Sequence, residues 1–545
     1  LAVVVLLAAA LIHLGSGGIT HAAAQRRATQ KVFMPAILQR PAVAATQDLT
    51  IAHLGLFQSV QTATNSVSLI AGKPALLRVF AQATGVTTPP VAEVTVHAQR
   101  GGTYLGSLTL GPEAVSFQPT AGELTSTFNF DLPQDWLSGD VTLTATIDAV
   151  NTVAEADESN NTHTAHFSFL NVAPLQLTIV PIHYTDTVTG RQFADAAHDP
   201  ISDWLHGAFP VSRIDVAHHV PFSFSGDLRQ PGEWQRLLDG LTTLWAAEVG
   251  MGSPAVYYGL IPTMDASGAT WFEGGVSGLG WIGQRVSLGL DVGAATGNSA
   301  GHELGHNFGR RHAPCGNPSS VDPHYPYPNA TIGVYGVDTE EEVLLAPAAN
   351  FDMMSYCGPE WVSDYTYEGL LSDQLSRAAQ SGAQSDGLLL RATIAADSSA
   401  ARAKAGPLPV TVLPVYRLSA APLPDDNSGY TAQLLDSRGA IIATHPAMLL
   451  EAEETGVTAR LLVAHVPVPD SAIATVRFVR DGTVIGQRVV GGADASGSTV
   501  GITAAAQATT DGMTLTWSRP GVPALVRVSE DGVRWTTLAL DTPGG

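Results

Sequence analysis

The sequence predicts a multidomain chain in which an α+β domain, residues 172–385, is flanked by antiparallel β-sandwich modules. Three observations carry this. Short β-rich runs separated by turn residues recur from Leu49 to about Leu170 and again beyond residue 386. Between them, apolar strands alternate with segments of helical periodicity. The 54 Gly and 34 Pro among 545 residues suit many turns, and 45% hydrophobic against 14% charged residues excludes a largely disordered chain. A chain of this length corresponds to about three or four domains.

The chain opens with an apolar run, Leu1 to Leu14, followed by small residues ending at Ala22-Ala23-Ala24. A membrane-spanning helix needs about 20 apolar residues, so residues 1–24 read as a secretory signal peptide, with an uncleaved membrane anchor as the alternative. Residues 25–47 form a polar, Ala-rich linker. In residues 48–171, VAEVTVHAQ and TYLGSLTL flank Gly101-Gly102, a two-residue hairpin signal. STFNFDL and DVTLTATID add further strands, and strands at this spacing suggest an antiparallel sandwich.

From residue 172 the texture changes. LQLTIVPIHY (175–184) is apolar, β-rich and reads as a buried strand. Pro231 opens a helix in which Trp234, Leu237, Leu238, Leu241, Leu244 and Trp245 recur at helical spacing. AVYYGLIP (255–262) and RVSLGLDV (285–292) are strand candidates, the second leading into another helix. Residues 396–407 read as a linker or exposed loop. Beyond them, Asp481-Gly482 and Asp531-Gly532 are hairpin signals. Residues 386–496 form a second β-sandwich module. Residues 497–545 form a partial β-rich module, either a fragment or a strand pair docking elsewhere.

Composition narrows the function classes. A formal charge of −22, from 49 acidic and 27 basic residues, leaves no basic face for phosphates, so nucleic acid is not an expected partner. Two cysteines are too few for a disulfide scaffold or a Cys-rich metal cluster.

The chemistry concentrates in Gly301-His302-Glu303-Leu304-Gly305-His306-Asn307-Phe308-Gly309-Arg310-Arg311-His312. On a helix, His302 and His306 lie at i and i+4, so both imidazoles face one metal. Glu303 sits at the rim of that face, within reach of a water and outside the ligand set. Gly309 tolerates the left-handed conformation that reverses the chain and returns His312 as a third ligand. Three imidazoles leave one tetrahedral position open, the requirement for catalytic zinc.

This segment resembles the metzincin zinc metallopeptidases, and HELGHNFG resembles most closely their reprolysin/adamalysin-like branch. That resemblance spans about residues 180–385, although its specific motifs occupy only some twenty residues. It implies a Met-turn beneath the metal, which Asp352-Met353-Met354-Ser355-Tyr356-Cys357 matches with Met354 as the turn residue. The chain departs from reprolysins at Ala313, where they carry Asp. Met354-Ser355-Tyr356 resembles instead the Met-x-Tyr turn of serralysins and astacins, which implies that Tyr356 ligates zinc or stabilises an oxyanion; a packing role is the alternative. Separately, Val153-Ala154-Glu155-Ala156-Asp157-Glu158-Ser159-Asn160-Asn161-Thr162 resembles the end of CARDB-type, Ig-like adhesion modules. There, Asp157 and Glu158 either hold calcium or form a solvated acidic turn.

The metzincin resemblance implies a secreted or cell-surface zinc endopeptidase, acting as a monomer on protein or glycoprotein substrates, with Glu303 as the base and Tyr356 as its catalytic partner. The Gly-rich GGVSGLGWIG (274–283) falls where that family places the strand along the cleft; it is either that strand, holding substrate by β-augmentation, or a loop. Cys315 and Cys357 follow the third His and the Met-turn, positions that converge under the metal. They form a disulfide or, alternatively, one ligates zinc. Tyr325, Tyr327 and Tyr335 either line the pocket beyond the scissile bond or pack. His218, His219 and His324 are expected outside the ligand set. The sandwich modules offer surfaces for a cell-surface or matrix ligand. Two other functions stay open: an adhesion protein with this domain as scaffold, and a zinc hydrolase acting on a non-peptide bond.

Overall fold

The structure, a computed structural model, describes residues 46–194, 200–378, 385–395, 409–420, 423, 428–454 and 456–490, together with four strands between 504 and 543. The expected signal peptide, the linker as far as residue 45, the 396–407 segment and Asp531-Gly532 lie outside the described residues. The protein is multidomain and mostly β-sheet, with four α-helices among the described residues.

Period-two alternation builds the first sandwich. In the strand Val91–Arg100, Ala92, Val94, Val96 and Ala98 face inward while their neighbours meet solvent. This strand belongs to a five-stranded sheet that packs against a three-stranded sheet of Asp48–Phe57, Leu76–Thr84 and Phe128–Asp131. Gly101 (φ +55°) and Gly102 (φ +82°) make the tight hairpin turn, whose handedness matches the strand twist. This sandwich is joined to the middle of the chain. Val60–Gln61 pairs with Tyr335–Gly336, and the Trp361 indole donates to Ser59 O at 3.1 Å. Lys73, fully buried, donates its ammonium protons to the carbonyls of His206 and Gly207 at the end of helix α1 (Pro200–Ala208).

In the middle region, Leu175–Asp186 is the organising strand. It pairs in parallel with Ile214–His218, Phe222–Gly226 and Val256–Pro262, and Val256–Pro262 pairs in turn with Val286–Asp291. Its alternate residues serve two cores. Leu175, Leu177 and Ile179 point to α1, α3 (Thr296–Asn307) and α4 (Asp364–Ala378), whereas Val180, Ile182 and Tyr184 join the core around α2 (Pro231–Glu248). Pro231 sits in the first turn of α2, where the missing N–H costs no hydrogen bond. Gly278–Gly280 closes the sheet as an antiparallel edge strand on Val286–Asp291, so the Gly-rich segment supplies a strand.

The C-terminal part folds as two facing sheets. One contains Ser385–Ile394, Val457–Pro467 and Met448–Glu454; the other contains Ile441–Pro446, Tyr430–Leu435, Thr475–Arg480 and Thr483–Val489. Asp481 (φ +48°) and Gly482 (φ +79°) form the hairpin turn expected there. The first sheet is buried on both faces. Leu388, Leu390, Leu462 and Ala464 fill the sandwich, while Leu389, Met448, Leu450, Leu461 and Val463 pack in the α2 core. Two further antiparallel strand pairs follow, Ala504–Thr509 with Gly512–Trp517 and Pro523–Val528 with Thr536–Pro543, and the Thr537 amide donates to Glu248 at the end of α2, so the last of these strands docks on the middle region. Among the described residues no helix is long and apolar enough to cross a membrane.

Trp245 lies fully buried in the α2 core with its indole donating to Ala255 O at 2.8 Å. Trp245→Ala is therefore expected to cost about 3–5 kcal/mol, read as a lower urea midpoint. A change under about 1 kcal/mol would place Trp245 outside the stabilising core.

Candidate metal centre

Helix α3 carries His302 and His306 on one face, one turn apart. It ends at Gly309 (φ +78°), and the Arg310 amide returns to Gly305 O at 2.9 Å, turning the chain back. That reversal brings His312, fully buried, beside the first two imidazoles. Ring centroids lie 4.7 Å apart for His306 and His312 and 4.9 Å for His302 and His306.

The tautomers follow from the partners. Nδ1 of His302 lies 2.7 Å from Met353 O, Nδ1 of His306 lies 2.8 Å from Arg310 O, and Nδ1 of His312 lies 2.6 Å from Ser319 O. A carbonyl only accepts, so each Nδ1 carries a proton, and in the neutral ring each Nε2 then presents a lone pair. Burial, the largest influence, lowers His306 to about 4, which keeps it neutral, whereas at His302 the effect of burial is outweighed by the neighbouring Glu454 carboxylate, which raises that imidazole. The three Nε2 atoms converge, those of His306 and His312 to 3.2 Å. Facing lone pairs at this separation repel unless a cation sits between them, and the Nε2 of His302 has no hydrogen-bond partner. The residues therefore fit a metal ion.

A fourth donor joins them from far along the chain. Glu454, 8% exposed, ends the strand Met448–Glu454 and places Oε1 3.0 Å from His306 Nε2, 3.1 Å from His312 Nε2 and 3.5 Å from His302 Nε2. The ligand atoms of His302, His306, His312 and Glu454 all lie within 4.8 Å of one another, a buried group that can hold a metal ion. The strand shows the one sequence signal for this residue. Met448, Leu450 and Ala452 occupy the inward positions, and Glu454 continues that period with a charge. A carboxylate on an apolar face asks for a partner.

Glu303 is 4% exposed and stands next to the ligands, its Oε2 without a hydrogen-bond partner. Burial raises its carboxyl well above the ordinary range, and the charge of Glu454 adds to the rise. The edge strand admits it by having no side chain: a Cβ on Gly278 would stand 2.2 Å from Glu303 Oε1. A cleft of about 490 Å³ runs over the site, with Val276, Ser277, Asn298, Glu303, Tyr356 and Glu454 in its walls.

Met354 lies under α3, where a Cβ on Gly305 would meet its Sδ at 2.2 Å. Buried Asp352 holds that turn, accepting from Met354 N at 2.8 Å and Ser363 N at 3.0 Å. Ala313 N donates to Met354 O at 2.8 Å, so the turn and the His312 segment are bonded directly. Cys315 and Cys357 are joined in a disulfide, with Cα atoms 5.7 Å apart, and neither is a metal ligand. Tyr356 is at the mouth of the site. Its hydroxyl donates to Glu454 Oε2 and lies 3.4 Å from His312 Nε2.

Other candidates fall elsewhere. Tyr325 and Tyr327 pack, their hydroxyls donating to Thr331 O and Asp364, and Tyr335 lies in the seam with the first sandwich; none lines the metal cleft. His219 pairs with Glu248 at 3.0 Å, and exposed His324 lies beside Asp322. Asp157 accepts from the amide and hydroxyl of Ser159 in a solvated turn, while Glu155 makes the inward ties, to Leu49 N and Asn161.

The bridge between Cys315 and Cys357 closes a separation of 42 residues across the site. The chain-entropy relation gives such a loop about 4 kcal/mol. Replacing both cysteines by Ser is expected to lower the unfolding midpoint accordingly. Alkylation of unreduced, denatured wild-type protein should add no mass; two modified thiols would show the bridge absent.

Residues 91–165 match the family model for the CARDB domain. Two solved structures are similar to part of the chain. The CARDB domain of a Pyrococcus furiosus protein, in complex with di-metal ions, is 22% identical; the match covers 23% of this chain and 94% of that one, with a TM-score of 0.17. A domain of a putative cell surface protein from Methanosarcina acetivorans is 24% identical, covering 23% of this chain and 91% of that one, with a TM-score of 0.14. No curated protein matches the chain. The first sandwich thus contains a CARDB domain, matched from the strand that begins at Val91 to the one that begins at Thr162.

Proposed function

We propose that the chain is an exported zinc endopeptidase whose residues 172–385 form an α+β catalytic domain of metzincin type. The observation that carries this reading is the convergence of three Nε2 lone pairs beside Glu303, on the floor of a cleft rimmed by a strand edge. Imidazoles with a carboxylate are a donor set that suits zinc. His302, His306 and His312 would hold the ion, which when bound polarises a carbonyl and lowers the pKa of water.

The remaining work falls to side chains. Glu303 accepts a proton from the water that attacks the peptide carbonyl and passes it to the amide nitrogen as the C–N bond breaks. Tyr356, once its hydroxyl is released from Glu454, donates to the oxyanion. The strand Gly278–Gly280 offers backbone groups along which an extended protein or glycoprotein segment can lie. The disulfide suits an oxidising compartment, and the CARDB domain suits a secreted or cell-surface protein that acts as a monomer, with a cell-surface or matrix ligand for the sandwiches.

One observation favours a second reading. Glu454 fills the fourth position, as a ligand does in a structural site. On that reading the chain is a surface binding protein, and the metal staples the C-terminal sheet to the middle region.

Casein hydrolysis decides between them, measured in the wild-type chain and with Glu454 replaced by Ala. Chelation should abolish hydrolysis and zinc restore it. Glu303→Gln should lower kcat by about 10²–10⁴-fold with zinc content unchanged. Hydrolysis in neither zinc-loaded protein, or unchanged turnover in Glu303→Gln, rejects the peptidase.

A further inference from the structure

We infer that the end of the strand Met448–Glu454, in its hairpin with Val457–Pro467, is an intramolecular plug: Glu454 is the fourth ligand that closes the metal site, and the chain in this arrangement is latent until that strand end withdraws. The inference rests on the zinc-peptidase reading and adds its regulation.

The two carboxylate oxygens of Glu454 disable two functions at once. Oε1 stands 3.0–3.5 Å from all three imidazole Nε2 atoms, in the position a reacting carbonyl or water needs. Oε2 accepts the Tyr356 hydroxyl, the donor left for an oxyanion. The side chain also lines the cleft, in space that an extended peptide would cross.

The hairpin is held there by contacts outside the ligand set. Ile282 N, just beyond the edge strand, donates to Glu451 O at 2.9 Å. The Ser320 hydroxyl, in the segment after His312, donates to Glu453. Gln284 reaches Met448 Sδ at 3.3 Å, and Met448, Leu450, Ala452 and Val457 pack in the α2 core. A ligand tethered this way has an effective concentration on the order of millimolar, so a peptide at micromolar concentration competes poorly with it. Opening therefore requires loosening of the hairpin, and substrate binding alone is insufficient.

Three measurements on the full chain test this: zinc affinity by chelator competition, hydrogen exchange of residues 448–467 with and without zinc, and casein hydrolysis at full zinc loading. Glu454→Gln preserves volume and Glu454→Ala removes the carboxylate; Asp215→Asn, altering an exposed ion pair with Arg213 away from the hairpin, is the control. Both Glu454 variants should weaken zinc binding roughly tenfold or more, and zinc should slow exchange in the hairpin of the wild type but not of the variants. Glu454→Ala should hydrolyse casein roughly tenfold or more faster than the wild type, with the control unchanged. Unaltered zinc affinity and exchange would overturn the plug while metal-dependent hydrolysis left the peptidase reading standing. Wild-type hydrolysis as fast as that of Glu454→Ala would also overturn latency and keep the peptidase. Weakened zinc binding with no hydrolysis in either variant would overturn both, leaving a structural site.

Discussion

Three imidazole N–H groups donating to three backbone carbonyls are the constraint on which this site depends. Because Met353 O, Arg310 O and Ser319 O can only accept, His302, His306 and His312 are each locked in the tautomer that turns a lone pair inward. Each carbonyl must itself be held. The turn at Met353-Met354, fixed by the buried Asp352 carboxylate, supplies the first; the left-handed turn at Gly309 supplies the second. The third belongs to the loop after Cys315, which the disulfide ties back beside the turn at Met354. The centre is thus organised by main chain, which moves less readily than side chains and holds the ligands before any ion arrives.

The second constraint is a sheet with no free face. Side chains of the Ser385–Ile394, Val457–Pro467 and Met448–Glu454 strands alternate between the C-terminal sandwich and the core of α2. Arg391, buried, crosses the same seam to donate to Thr243. Burial on both faces fixes the sheet relative to α2, and α2 packs beneath the strands that end at the metal centre. This chain of contacts delivers Glu454 across 142 residues of sequence to within 3.1 Å of His312. The first sandwich is docked by more polar means, through the short pairing of Val60–Gln61 and the buried Lys73 ammonium on the carbonyls that end α1.

Where periodicity was strong, the elements were readable in the sequence. The strand over 175–184, the helix opened by Pro231, and the turns at Gly101-Gly102 and Asp481-Gly482 all follow from local chemistry. Gly274–Gly283 was ambiguous because glycine has little intrinsic preference for a strand. Gly278–Gly280 forms one because its backbone pairs with Val286–Asp291, and the bare Cα atoms of Gly278 and Gly280 leave room for Glu303. The tyrosines after His312 were ambiguous for another reason: an aromatic ring lines a cleft or fills a core with equal ease, and only tertiary packing placed them in cores and seams.

By itself, then, the sequence determined the three histidines and Glu303 as one group, and only resemblance joined the turn at Met354 and the two cysteines to them. The histidines and Glu303 lie within one short window whose spacing is set by helix period and turn geometry. Only the tertiary structure decided that Glu454 joins them. Its approach depends on how one sheet packs on a helix more than two hundred residues earlier in the chain, and no local period encodes that distance. The lone charge after Met448, Leu450 and Ala452 marked the residue as unusual, but its partner was visible only once the chain had folded.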